Sequence, residues 1–165
     1  MDNLDHRILT LLQENARRNN DELATMLDIE VDVLAKRIES MESSGVILKY
    51  TALVNEQVMD DVSQPIRALV ELNISPERKT GYDAIASKIY QYPSVKAHFL
   101  VSGQFDYLVI VEGSTHQEIA HFVFDKLATL DNVTGTNSHF VLKKYKENGV
   151  VFEGAANDKR VAVMP

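Results

Sequence analysis

The first 45 residues carry three stretches whose apolar positions recur at the spacing of amphipathic helices. The three apolar sets are Leu4, Ile8, Leu11 and Leu12; Leu23, Ala24 and Leu27; and Leu34, Ile38 and Met41. Asp2, Asn19 and Glu30 stand at the N-cap positions, and Gly45 follows the third helix as a C′ residue. The short corner between the second and third helices predicts a helix-turn-helix, whose second helix can enter a DNA major groove. A plain helical bundle shows the same caps and stripes and stays open as the alternative.

Beyond Gly45 the pattern becomes that of strands. Val46 to Val54 is rich in β-branched and aromatic residues, which predicts a strand. After Pro65 a strand with alternating apolar residues is followed by helix, strand, strand, helix and strand. The predicted strands are 66–74, 95–102, 107–111 and 133–145, and the predicted helices are 82–92 and 115–130. This βαββαβ order predicts an α+β chain with a C-terminal ferredoxin-like domain.

These patterns divide the chain into four predicted segments. They are a three-helix, winged-type helix-turn-helix domain (1–45), a hinge strand and linker (46–64), the ferredoxin-like domain (65–146) and a C-terminal tail (147–165).

The predicted sheet has helices on one face only, yet both of its faces are apolar. Leu69, Leu100 and Ile110 alternate with the helix-facing residues and are expected on the opposite face. An uncovered apolar face favours aggregation, so we expect something to cover it. A second copy of the chain is the simplest cover, since two-fold dimers are the commonest oligomers. The alternative is that the C-terminal tail folds back over the sheet.

Composition narrows the class of protein. The 165 residues include no cysteine, which excludes disulfides and thiolate metal sites. No apolar run approaches the ~18 residues of a membrane span, and the acidic N-terminus is unlike a signal peptide. We therefore expect a cytoplasmic protein.

The charge distribution opposes the DNA hypothesis. The formal net charge is −7, and residues 1–45 hold five basic and ten acidic side chains, a sum of −5. Such a balance weakens attraction to phosphates. Lys36 and Arg37 could nevertheless reach phosphates or a guanine edge from the third helix, with Arg17 and Arg18 on its flank. The predicted DNA-binding residues are Arg17, Arg18, Val33, Lys36, Arg37 and Ser40. A solvated helix face is the alternative.

The loop from Ser102 to Tyr107 is the second candidate site. Gly103 permits a positive φ and a close backbone approach, and Asp106 could pair with an ammonium group while loop N–H groups hold a carboxylate. That arrangement would suit a free amino acid. In the alternative, Asp106 only caps a hairpin turn.

Enzymatic motifs are missing. None of the five histidines stands at metal-ligand spacing with another ligand, and the sequence has no nucleophile elbow, phosphate-binding glycine loop or zinc-helix motif. We expect no metal, no cofactor and no enzymatic activity.

With these motifs in order, the chain resembles the leucine-responsive regulator/AsnC (feast/famine) family along nearly its whole length, to about Tyr145. The resemblance rests on an opening L-D-x-x-I, a G-x-I-x-x-Y-x-A-x-x-N run into the hinge and an S-G-x-x-D-Y loop. The matching residues are Leu4, Asp5, Ile8, Arg17, Glu22, Leu23, Ala24, Leu27, Arg37, Ile38, Glu42, Gly45, Val46, Ile47, Tyr50, Ala52, Asn55, Ser102, Gly103, Asp106, Tyr107, Val133, Thr136 and Ser138.

The resemblance implies a transcription regulator that binds double-stranded DNA and forms homodimers, commonly assembled into octamers. It also implies an amino-acid effector bound at an interface between dimers, near the G-x-x-D loop. The effector residues that it implies are Ser102, Gly103, Asp106, Tyr107, Thr136 and Ser138.

Three acids depart from the family pattern. Asp28 stands where the family usually has Gly, and Glu30 and Asp32 replace Ser or Thr that cap the helix or contact phosphate. Acids at a helix N-terminus stabilise the helix but repel phosphates. One alternative is therefore a protein of this fold with weak or lost DNA binding. Another is a relative that decarboxylates a tetrapyrrole, with His98 or His139 lining the pocket.

Overall fold

A computed structural model describes residues 1–59, 64–75 and 81–152. The chain divides into two units, Met1–Val54 and Asn55–Pro165. The predicted domain boundaries at 45, 64 and 146 stay predictions, and the predicted tail beyond Phe152 lies outside the described residues. Within those residues, no helix combines the length and apolar character that crossing a bilayer requires.

The N-terminal unit contains the three predicted helices, α1 (Asn3–Glu14), α2 (Asn20–Leu27) and α3 (Val31–Ser43). Their apolar faces meet in a small core because each helix has one apolar stripe. Fully or nearly fully buried there are Ile8, Leu23, Ala24, Leu27, Leu34 and Met41. Burying one such aliphatic side chain contributes roughly 1.5–3 kcal/mol, so these contacts set the positions of all three helices.

Local sequence signals define the helix ends. The side chains of Asp2 and Asn19 each accept a hydrogen bond in a capping box, as the N-cap prediction requires. Gly45 has φ +74°, and the next N–H, from Val46, donates to the Met41 carbonyl at 2.9 Å. This Schellman closure confirms Gly45 as the C′ residue of α3. Glu30 makes no side-chain capping bond.

The predicted strand Val46 to Val54 is wrong for the single chain, because the segment has no strand pairing. Its first two N–H groups donate to the Met41 carbonyl and complete the end of α3 instead. A strand needs a neighbouring strand for its backbone groups. The large apolar residues Val46, Leu48, Tyr50, Leu53 and Val54 remain exposed.

The C-terminal unit has the predicted βαββαβ order, after a short 3₁₀ turn at Glu56–Val58. Its elements are β1 (Ile66–Ile74), α4 (Asp83–Ile89), β2 (Val95–Leu100), β3 (Tyr107–Gly113), α5 (His116–Phe122), continued by a π-helical turn (Val123–Leu127), and β4 (Val133–Phe140). The strands form an antiparallel sheet in the order β2-β3-β1-β4. A two-residue hairpin, β5 (Lys146–Glu147) and β6 (Val150–Val151), follows.

The two sheet faces differ in burial. The helix-covered face holds the core, whose fully buried strand residues are Ala68, Val70, Leu72, Tyr107, Val109 and Val111. The apolar side chains that β1, β2 and β3 place on the uncovered face, here called the back face, are Leu69, Ala97, Phe99, Leu108 and Ile110. The expected back-face positions of Leu69 and Ile110 therefore hold.

Leu100 does not lie on the back face, and that prediction is wrong. Strand β2 shifts register against β3 between Val95 and Ala97, which is a β-bulge. The extra residue reverses the facing of every later residue in the strand. Leu100 therefore stands opposite Tyr107 on the helix-covered face, and Phe99 takes the back-face position.

Candidate DNA-binding face and effector site

The outward face of α3 presents Lys36 and Ser40, both exposed, and Val33 is 44% exposed beside them. These predicted DNA-binding residues therefore share an accessible surface. Asp32 lies one helical turn before Lys36 on the same face. The single positive charge on this stripe thus has a carboxylate as its neighbour.

Arg37 is held inside the unit. Its guanidinium donates to Asp5 at 2.6 Å and to Asp2 at 2.9 Å, joining α3 to the start of α1. The backbone N–H of Asp5 and then Arg37 lower the pKa of Asp2. This geometry does not support the predicted DNA contact by Arg37. The signal that sequence reasoning missed is the acidic capping box of α1, which offers two carboxylates to one arginine.

Arg18 is occupied in a similar way, whereas Arg17 is exposed. The Arg18 guanidinium donates to the Leu11 carbonyl at 2.8 Å and to Glu14 at 3.2 Å. A cation at the last turn of a helix compensates its dipole and its unpaired carbonyls. Arg18 therefore closes α1, and Arg17 and Lys36 are the predicted basic contacts that stay accessible.

In the second candidate site, Asp106 anchors the loop between β2 and β3. One carboxylate oxygen accepts from the Ile74 N–H at 2.7 Å and the other accepts from the Tyr82 hydroxyl at 2.9 Å. Asp106 thus has the capping role that the turn alternative describes. Each oxygen keeps a second lone pair, so these bonds leave room for an ammonium group.

The remaining loop residues differ in accessibility. Ser102 and Gly103 are exposed, and Gly103 has φ +149°, which favours glycine. Tyr107 is buried, and its hydroxyl donates to the Tyr82 carbonyl at 2.5 Å. Burial, with added repulsion from nearby carboxylates, raises the pKa of Tyr107 to about 12. Tyr107 therefore supports the loop from within the core of the C-terminal unit.

Thr136 and Ser138 lie on β4, apart from the loop. Leu72 of β1 pairs with Tyr107 on one side and with Thr136 on the other. Two strand spacings, about 10 Å, therefore separate Thr136 from Tyr107. The chain does not bring the two halves of the predicted effector site together by itself.

A cavity of about 330 Å³ lies between α4 and β2, next to this loop, and no local pattern in the sequence indicates it. Its walls include Asp83, Lys96, His98 and Tyr107. Burial lowers the pKa of His98, whose ring packs edge-on against Tyr107 with centroids 4.4 Å apart. Simple alternation along β2 places His98 on the back face, and the bulge reverses it.

His139 lies on the back face instead, 3.2 Å from Glu71 across β1 and β4. The two histidines of the tetrapyrrole alternative therefore stand on opposite faces of the sheet. In the part of the chain that the structure describes, no three His, Asp or Glu side chains group as a metal site.

Two family models together match most of the chain. Residues 67–151 match the Lrp/AsnC ligand binding domain, and residues 1–47 match a winged helix-turn-helix DNA-binding domain. Each matched range lies within one of the two units of the structure. They agree with the predicted α+β architecture.

Curated relatives and solved structures agree with these models. The chain is 37% identical to the HTH-type transcriptional regulator YugG of Bacillus subtilis, over 96% of this chain and 95% of that protein. It is 30% identical to the HTH-type transcriptional regulator LysM of Saccharolobus solfataricus, over 88% and 96%. The structure of the Neisseria meningitidis transcriptional regulator NMB0573 in complex with L-Met is similar, with TM-score 0.70, 28% identity and coverage of 89% and 93%. The chain thus belongs to the Lrp/AsnC family of HTH-type transcriptional regulators.

Proposed function

We propose that this regulator binds double-stranded DNA through α3, works as a homodimer or a larger assembly such as an octamer, and responds to an amino acid. The proposed DNA binding rests on one observation: Val33, Lys36 and Ser40 form an exposed stripe on α3, the second helix of the helix-turn-helix. Arg17 adds a cation on its flank. Because Arg18 and Arg37 are paired within the unit, they act by holding α1 in place.

The dimer is proposed through the back face. Phe99 is 49% exposed there and continues the apolar surface of Leu69 and Ile110. Polar pairs border this surface, with Arg67 bound to Glu112 and His139 near Glu71. An apolar centre with a polar rim is the usual anatomy of a protein interface. A second copy would cover it most simply.

The effector is proposed to be a free amino acid, because the similar regulator of Neisseria meningitidis forms a complex with L-Met. Ser102, Gly103 and Asp106 supply one side of the site, and the buried Tyr107 supports them. Thr136 and Ser138 are about 10 Å away in the same chain, so they would join from another copy in an assembly. An effector held between copies changes the assembly equilibrium, with a coupling of ~1–3 kcal/mol.

Sedimentation velocity and gel shift, run on one sample with and without each of the twenty amino acids, test this proposal. The DNA is the region upstream of the chain's own coding sequence. We expect one amino acid to change the sedimentation coefficient and the DNA affinity together. A monomer at micromolar concentration, or an assembly and affinity that no amino acid alters, contradicts the proposal.

A second candidate is a regulator of this fold whose own DNA affinity is lost. The acidic neighbours of Lys36 favour it, because Asp32 shares its face and Glu30 precedes α3. The absence of a gel shift at both low and moderate salt would support this candidate. We propose a cytoplasmic location for the DNA-binding regulator, because regulating transcription requires access to the chromosome.

A further inference from the structure

The densest run of basic residues in the sequence lies in the C-terminal unit, shortly after β4. Lys143, Lys144 and Lys146 stand within four residues, here called the basic segment (143–146). One glutamate, Glu147, accompanies them, so residues 141–152 carry a formal charge of +2 in a chain whose net charge is −7. A positive stretch on an acidic protein gives that part of its surface a local attraction for anions.

Lys144 anchors the basic segment to the C-terminal unit. Its Nζ atom lies 3.2 Å from Glu147 and 3.4 Å from Glu56, and 5.3 Å from the ring centre of Phe152. Arg67 of β1 holds Glu147 from the other side at 2.5 Å. The segment is therefore fixed before any ligand arrives, and a ligand need not supply the free energy of ordering it.

The other two lysines of the segment lie on the surface. Lys143 and Lys146 are exposed, and Tyr145 between them is 60% exposed. The Lys143 ammonium lies 5.0 Å from the ring centre of Tyr145, a cation–π contact that orients it. Lys and Tyr side chains are common donors to DNA phosphates. Three residues of chain span at most about 10 Å, close to three steps of ~3.4 Å along one DNA strand, so both lysines can contact phosphates of the same strand.

From this arrangement we propose that the basic segment is a second DNA contact, in which Lys143, Tyr145 and Lys146 bind backbone phosphates of double-stranded DNA. The inference rests on the proposed DNA binding by α3 and adds a sequence-independent contact in the other unit. The N-terminal unit benefits because its accessible predicted contacts, Arg17 and Lys36, are outnumbered by acids. Since one chain carries both units, DNA bound by the first is at a high effective concentration for the second. The DNA-binding domain at residues 1–47 favours DNA over other polyanions.

The salt dependence of DNA affinity measures this contact. Each phosphate contact contributes about 0.9 to the slope of log K against log salt concentration. Lys143→Gln with Lys146→Gln should therefore reduce the slope by about 1.8 for each chain that contacts the DNA. The ratio of native to variant affinity should then be about twelvefold larger at 50 mM than at 200 mM salt. Fluorescence anisotropy with a labelled upstream duplex and a scrambled duplex should show the same loss on both, because phosphate contacts carry no sequence information.

Two further double variants are the controls. Lys88→Gln with Lys126→Gln removes the same charge from exposed positions of the same unit. It should reduce the slope by less than about 0.5, because charges beyond the ~8 Å screening length contribute little. Lys143→Arg with Lys146→Arg keeps the charge and should keep the native slope. A double glutamine variant of the basic segment whose slope equals that of the native chain or of the Lys88 and Lys126 control overturns the proposal.

A measurement on the native chain requires no substitution. Lysine acetylation by an N-hydroxysuccinimide ester, followed by mass spectrometry with and without the duplex, should slow about fivefold or more at Lys143 and Lys146. It should be unchanged at Lys88 and Lys126, and equal rates at all four positions contradict the contact. If the native chain binds no duplex at 50 mM salt, the proposed DNA binding fails as well. If it binds, and Lys36→Gln reduces the slope while the double glutamine variant of the basic segment does not, this inference alone fails.

Discussion

Replacing two acids at the start of α3 should increase DNA affinity. Glu30 occupies the N-cap without making a capping hydrogen bond, and Asp32 follows in the first turn. Helix N-termini bind phosphate well because N–H groups and the helix dipole point there, and acids oppose that binding. The change we consider is the double variant Glu30→Ser with Asp32→Thr.

The magnitude follows from charge and distance. Two unit charges 4 Å apart interact by about 1 kcal/mol in water, and salt at physiological strength reduces this over a ~8 Å screening length. Removing the two acids near phosphates should then improve the free energy of DNA binding by roughly 1 kcal/mol per α3, or by about 2 kcal/mol for the two N-terminal units of a dimer. That is on the order of a thirtyfold gain in affinity. Ser at the N-cap should also stabilise the helix by ~0.5–1 kcal/mol.

Fluorescence anisotropy with labelled upstream DNA, at 50 and 200 mM salt, measures the gain. The control is Asp125→Ser with Asp131→Thr, which removes the same charge from exposed positions of the other unit. The control should gain less than threefold. An α3 variant that gains no more than this control at low salt would refute the electrostatic reasoning.

Three further variants test the C-terminal unit. Leu69→Glu should convert the assembly to monomer in sedimentation velocity, whereas Phe124→Glu, at an apolar residue that is 77% exposed elsewhere, should not. Asp106→Ala removes the acceptor of both the Ile74 N–H and the Tyr82 hydroxyl and should cost ~1–3 kcal/mol in urea unfolding, and native-like stability would contradict its anchoring role. The pKa of Tyr107 is about 12 in the folded chain and about 10 in the unfolded chain. The contribution of this difference to the free energy of unfolding is therefore complete below pH 10 and falls by up to about 2–3 kcal/mol by pH 12. Unfolding curves of Tyr107→Phe at pH 9 to 12 should lack that loss, and an equal loss would contradict it.

Local signals predicted the regular elements well. The caps at Asp2 and Asn19 and the glycine at position 45 act within a few residues, so their effect can be read from short stretches. The βαββαβ order also follows from period changes and turn residues. Such signals are local because helix capping and strand alternation depend on neighbours in sequence.

Other features depend on residues far apart in sequence, and the patterns did not give them. The Arg37 ion pairs join positions more than 30 apart, and only folding brings them together. The bulge in β2 shifts register without any glycine or proline to mark it, and it moved His98 and Leu100 to the other face. The segment after Gly45 has strand-like composition but no strand to pair with in its own chain.

Because the N-terminal unit is acidic, we expect its DNA affinity to depend on assembly. We take a Kd of ~10⁻⁴ M for one N-terminal unit on DNA. If a second unit is held beside it at an effective concentration of ~1 mM, the dimer binds DNA with a Kd of about 10⁻⁵ M. In the proposed dimer, assembly would therefore control the occupancy of the DNA, and the proposed effector need not touch α3. Adding Glu30→Ser and Asp32→Thr to Leu69→Glu separates the two contributions. This monomer should regain about fivefold of the roughly tenfold affinity that Leu69→Glu alone removes, because its one α3 gains roughly 1 kcal/mol, as measured by anisotropy at 50 mM salt. If Leu69→Glu alone binds DNA as well as the native chain does, assembly has no such role.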